Sequence, residues 1–145
     1  MKTYQTSQTL ILLVDDEPQV LGEVSTVLKA AGYACHCCSN AAAAMESARE
    51  ATPDLIISDI QLQGETGLEM CEKMRQELSL YDVPVMFLSG AQIPDIIRRS
   101  HAAGGTYYLR KPFDPEVLVE LVEKALWMPH VARSRSARTA ATMAR

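Results

Sequence analysis

The chain has 145 residues, 48% of them hydrophobic and 6% aromatic, with a formal net charge of −4. That length suits one domain with a real core plus a tail, and the acidic balance argues against nucleic acid as the main partner of a folded domain. No apolar run is long enough to span a bilayer, and Met1-Lys2-Thr3-Tyr4-Gln5 leads into a core strand without an apolar signal region, so a cytoplasmic protein is expected, with no membrane partner.

Residues Thr9 to Val14 form an apolar run that reads as a buried strand. It ends in Asp15-Asp16-Glu17. Pro18 then suits the first turn of a helix, and Val20, Leu21, Val24, Val27, Leu28 and Ala31 recur at helical spacing up to a stop at Gly32. Tyr33 to Cys38 reads as a second, less apolar strand, plausible at a sheet edge. Ser39 or Asn40 caps an alanine-rich helix through about Glu50.

Leu55-Ile56-Ile57-Ser58-Asp59 is the most informative stretch. It is an apolar strand ending on a carboxylate, at the end where open α/β sheets place their ligands. Taken alone, Asp59 could equally be a turn former or helix cap. A loop, Ile60 to Glu65, leads to a helix from about Thr66 to Leu78, with Leu68, Cys71, Met74 and Leu78 on its buried side. Val83 to Leu88 is a fourth strand ending in Ser89-Gly90, with Pro84 tolerated near its start. A helix with Ile93, Ile96 and Ile97 closes near Gly104-Gly105. Thr106 to Leu109 is the fifth strand, followed by Arg110-Lys111-Pro112-Phe113. Asp114-Pro115-Glu116 starts the last helix, whose apolar face is Val117, Leu118, Leu121, Val122, Ala125 and Leu126.

Strands alternating with helices imply an α/β fold, a parallel sheet with helices on both faces. Residues 1–8 form a lead, 9–128 the domain, and 129–145 a flexible tail or linker start, rich in Ala, Ser, Thr and Arg. Cys35, Cys37 and Cys38 share one strand with His36. Neighbours on a strand point to opposite faces, which splits this set, and reduced, partly buried thiols are expected rather than a metal site.

The chemistry gathers after the strands. The first offers Asp15 and Asp16, the third Asp59, the fourth Ser89 and the fifth Lys111. Crowded carboxylates repel, and an all-oxygen set is what Mg²⁺ prefers. A lysine and a hydroxyl aimed at the same point suit phosphoryl oxygens. Each residue also has an ordinary reading: acids at a helix start, a solvated lysine, a capping serine, a core aromatic.

The ordered set Asp15-Asp16, Asp59 with Gly67 beyond it, Ser89, and Lys111-Pro112-Phe113 resembles the response-regulator receiver domain of two-component signalling, as in chemotaxis receivers, over roughly Thr9 to Trp127. The resemblance implies a flavodoxin-like five-stranded sheet of order 2-1-3-4-5. It implies Asp59 as phosphoacceptor from a phosphohistidine on a sensor histidine kinase or histidine phosphotransfer protein, with only self-phosphorylation and self-dephosphorylation chemistry. Asp16 and Asp59 would bind Mg²⁺ directly, Asp15 through a water, and the backbone carbonyl of Gln61 would complete the set. Lys111 would pair with Asp59 at rest, and Ser89 with Tyr108 would form the switch. A cis Lys111–Pro112 bond is expected. The implied readout surface (the helix after the fourth strand, the fifth strand and the last helix) would engage an output domain, a docking protein or a second copy. The alternative is a phosphorylation-independent interaction domain of the same fold. Gln63 departs from the family, which usually has Pro there.

Overall fold

A computed structural model describes residues 9–90 and 106–127. The chain runs β1 (Leu10–Val14), α1 (Pro18–Ala30), β2 (Ala34–Cys38), α2 (Ala41–Glu50), β3 (Leu55–Asp59), α3 (Gly67–Leu78), β4 (Val85–Ser89) and β5 (Thr106–Arg110), followed by helix α4 over residues 115–127. The strands form one parallel sheet in the order β2-β1-β3-β4-β5, the flavodoxin-like arrangement. The expected helix with Ile93, Ile96 and Ile97 and the expected tail lie outside the described residues.

Strand alternation divides the core in two. Leu12, Val14, Ile56, Val85 and Phe87 face α2 and α3, where Ala44, Met45, Met70, Cys71 and Met74 meet them. Ile11, Leu13, Leu55, Ile57, Met86 and Leu88 face α1 and α4, against Val24, Leu28, Leu118, Val122 and Ala125. Complete burial of such a side chain contributes about 1.5–3 kcal/mol, so both layers hold the strand ends in place.

The helix ends follow local chemistry. Asn40 caps α2 by accepting the Ala43 N–H at 2.8 Å. Thr66 and Glu69 form a reciprocal capping box at the start of α3. That helix ends on Ser79 in the left-handed region, φ 59°. Met70 is buried there, while the expected Leu68 and Leu78 are only partly so. In α1, Ser25 is buried and its hydroxyl donates to the Gly22 carbonyl at 3.3 Å. On α4, Val117 is exposed, a departure from the expected apolar face. The first turn carries it past the contact with the sheet that Leu118 makes.

On edge strand β2 the four-residue cysteine–histidine run divides as expected. Cys35 packs with the α1–α4 layer and Cys38 with the α2–α3 layer. Cys37 is exposed rather than partly buried, because β2 is an edge strand. All these thiols are free, and burial pushes Cys35 up to about 11 and Cys71 up to about 12, away from thiolate chemistry.

Candidate functional site

β1 and β3 are direct neighbours in the sheet, and β4 brings Ser89 alongside. Their carboxyl ends therefore deliver Asp15, Asp59 and Ser89 to one edge, all three buried. Lys111 arrives one residue after β5, and its backbone N–H donates to the Ser89 carbonyl at 2.7 Å. The Lys111–Pro112 peptide is cis, as expected.

Each buried carboxylate divides its oxygens between two tasks. Asp15 Oδ1 accepts the Glu17 N–H at 2.9 Å, and Asp59 Oδ1 accepts the Gln61 N–H at 3.0 Å. These are Asx-type turns, so the turn-former reading of Asp59 holds, and Asp15 forms the same kind of turn. The other oxygen of each faces the lysine. Lys111 Nζ donates to Asp15 Oδ2 at 2.9 Å and to Asp59 Oδ2 at 2.9 Å. It also donates to Glu17 Oε1 at 3.1 Å.

Burial lifts the Asp15 carboxyl above its ordinary value, against the bonds from Lys111 and from the Glu17 N–H. For Lys111, burial pulls downward, but the bonds to Asp15, Asp59 and Glu17 outweigh it and hold the ammonium well above the usual lysine range. The lysine is a fixed positive charge over the cluster at any physiological pH.

Oxygens of Asp15, Glu17 and Asp59 lie within 4.8 Å of one another, a hard all-oxygen set that fits Mg²⁺. Glu17 is the member that sequence reasoning gave no role at the site. As an acid preceding a helix it reads as a favourable end charge, yet its side chain makes no capping bond and turns to Lys111 instead. Asp16 is half-buried and lies outside this group of three. The exposed Gln61 forms an isolated antiparallel bridge to Thr66, which pins the loop after β3.

Gly67 explains its own presence. A Cβ there would collide with the Asp59 carbonyl oxygen and lie 2.8 Å from Ser58 Oγ. Ser58 Oγ itself donates to that carbonyl at 2.8 Å. The start of α3 thus sits directly on the backbone of Asp59, an approach only glycine allows. On β5, Tyr108 lies beside Phe87 in register, with ring centroids 5.8 Å apart.

Residues 11–123 match a family model described as the response regulator receiver domain. The chain belongs to the response regulator receiver family. It is 34% identical over 118 residues to the nitrogen assimilation regulatory protein NtrX of Azorhizobium caulinodans, covering 80% of this chain and 26% of that protein. It is 32% identical over 117 residues to the response regulator Rre1 of Synechocystis sp., covering 80% and 51%. Among solved structures, the chemotaxis response regulator CheY4 of Vibrio cholerae superposes with a TM-score of 0.75 at 30% identity, covering 81% of this chain and 98% of that one. The receiver spans between 24% and 52% of the length of the curated relatives it matches. Receivers of this family are signalling domains of two-component systems, not enzymes in the ordinary sense. Among the described residues, no helix is long and apolar enough to cross a membrane.

Proposed function

We propose that this receiver accepts a phosphoryl group on Asp59 from a phosphohistidine of a sensor histidine kinase or histidine phosphotransfer protein. The observation that carries the reading is the Lys111 ammonium held between the buried carboxylates of Asp59 and Asp15 at 2.9 Å each. A lysine this deeply set between two buried carboxylates manages their charge, which a phosphoryl-accepting site needs. A phosphorylation-independent interaction domain would not need the pair.

Asp59 Oδ attacks phosphorus, and the bond from phosphorus to the donor atom breaks with its electron pair. Position and charge neutralisation carry such a transfer, since a carboxylate is a modest nucleophile. Asp15, Asp16, Asp59 and the backbone carbonyl of Gln61 would hold Mg²⁺, which supplies neutralisation of the charge gathered during transfer. Asp15 would contribute its charge to that site mainly through a water. Lys111 exchanges a carboxylate oxygen for a phosphoryl oxygen, and Ser89 bonds another. Movement of the Ser89 loop lets Tyr108 repack beside Phe87, shifting the population between two arrangements.

The folded unit spans residues 9–128, between a short lead (1–8) and a tail or linker start (129–145). The reader of the switched state is an output domain, a docking protein or a second receiver, in the cytoplasm. Relatives described as DNA-binding regulators favour an output domain as the reader. The test is incubation with acetyl phosphate and Mg²⁺ followed by intact mass measurement. A hydroxylamine-labile phosphoryl adduct supports the reading, and none under any donor or Mg²⁺ concentration overturns it.

A further inference from the structure

An ammonium has three N–H donors. Lys111 has all of them committed, to Asp15 and Asp59 at 2.9 Å and to Glu17 at 3.1 Å. Before Asp59 is esterified, an oxygen of the approaching phosphoryl group can therefore bond this lysine only by displacing a carboxylate. The acceptors are unequal. The side chains of Asp15 and Asp59 are 3% and 11% exposed, whereas that of Glu17 is 61% exposed. A carboxylate released into water recovers its hydration, and a buried one does not. Glu17 also makes the longest of the contacts, and its release breaks no helix cap, since its side chain makes none.

We propose that Glu17 is a resting-state placeholder, occupying the Lys111 donor that an oxygen of the approaching phosphoryl group takes during transfer. This rests on the reading of Asp59 as phosphoacceptor. Glu17 is a positioning residue in this account; it acts through Lys111 and does not touch the transferred group. Its effect is to slow phosphoryl transfer by the strength of one half-exposed ion pair; once Asp59 is esterified, its own contact with Lys111 is released and Glu17 no longer competes. Such a pair corresponds to about a two- to five-fold change in rate or affinity.

The reaction itself is unchanged. With acetyl phosphate, an Asp59 oxygen bonds to phosphorus, and the phosphorus–oxygen bond to the acetyl group breaks. Acetate leaves with the electron pair, and no proton is required. Only the competition for Lys111 differs between variants.

The experiment uses the full chain at saturating Mg²⁺, with Glu17→Gln and Glu17→Asp beside the wild type. The initial rate of adduct formation from subsaturating acetyl phosphate is measured by intact mass. Affinity for beryllium fluoride, a phosphoryl mimic, is measured in parallel. Glu17→Gln removes the charge. Glu17→Asp keeps it but withdraws the carboxylate by one methylene from the 3.1 Å contact. The proposal predicts that both variants react about two- to five-fold faster, while affinity for the mimic, which bonds Asp59 as the phosphoryl group does, changes by less. Equal or slower rates in both variants overturn it while leaving Asp59 as acceptor. A faster Glu17→Gln with an unchanged Glu17→Asp overturns it in favour of simple charge repulsion. A wild type that forms no adduct overturns the parent reading instead, which keeps the two failures distinct.

Discussion

Replacing Lys111 with Met keeps most of the stem and removes the charge that holds the carboxylate cluster together. The lysine side chain is 13% exposed, and its two closest partners are at 2.9 Å. At an effective dielectric of about 20, each of those 2.9 Å contacts has a gross attraction of about 6 kcal/mol. Repulsion between the two carboxylates, whose oxygens are no more than 4.8 Å apart, is at least about 3 kcal/mol on the same scale and stands uncompensated in the variant. Desolvation of the ammonium offsets much of the attraction, and removing one partner of a buried ion pair generally costs about 3–5 kcal/mol. A loss near the lower end, about 3 kcal/mol, is expected because Lys111 retains some water contact. For a domain of this size that lowers the melting temperature by about 10 °C in metal-free buffer. The assay is thermal and urea unfolding of wild type and Lys111→Met with EDTA and then with millimolar Mg²⁺. Mg²⁺ should stabilise the variant more than the wild type, because it takes over neutralisation of the same oxygens. Adding Asp15→Asn to the variant should recover part of the loss, giving a coupling energy that differs from zero. A variant as stable as wild type in EDTA would refute the reasoning. So would equal stabilisation of both proteins by Mg²⁺.

Other substitutions probe the surrounding geometry. Gly67→Ala puts a methyl group against the Asp59 carbonyl and Ser58 Oγ; unfolding should show a loss of about 1–3 kcal/mol, with slower adduct formation than wild type. Asp15→Asn removes a carboxylate whose pKa burial raises above its ordinary 3.8. A raised folded pKa means that the wild-type residue contributes most below 3.8 and loses that contribution as pH rises through the folded value. Stability-versus-pH curves should therefore cross, with Asp15→Asn the more stable protein near neutrality in EDTA and the weaker binder of Mg²⁺. Ser79→Gly relieves a left-handed residue at the end of α3 and should stabilise by about 0.5–1 kcal/mol in denaturant titration, without changing Mg²⁺ affinity.

The sheet was legible because each central strand is a short apolar run bounded by turn residues. The alternation of those runs with helices implies a parallel sheet covered on both faces, while the strand order 2-1-3-4-5 is implied only by the resemblance to receivers. Asp59 stood out through its place at the end of such a run, and Lys111 through the ordered set that accompanies it. Glu17 was hidden for a physical reason: beside Pro18 at a helix start, an acid already has a sufficient local explanation. Its true contact is with a lysine 94 residues away. The role of Gly67 was similarly invisible, since spacing reveals a glycine but not the carbonyl pressed against it. Cys37 and Val117 were misjudged because one-dimensional periodicity does not say where a strand loses its neighbour or where a helix leaves the sheet. Asp59 carried two readings, turn former and site residue, and Asp15 likewise two, helix-start acid and site residue. The structure assigns one oxygen to the turn and the other to Lys111, so these readings describe different atoms of the same side chain.

The central claim is that Asp59 is the phosphoacceptor. Its most direct test is peptide mapping after treatment with acetyl phosphate and Mg²⁺, with borohydride reduction to mark the acyl phosphate. The account predicts a single marked position at Asp59, absent in Asp59→Asn and absent when EDTA replaces Mg²⁺. A mark on another residue in the wild type, or an undiminished adduct in Asp59→Asn, would contradict it.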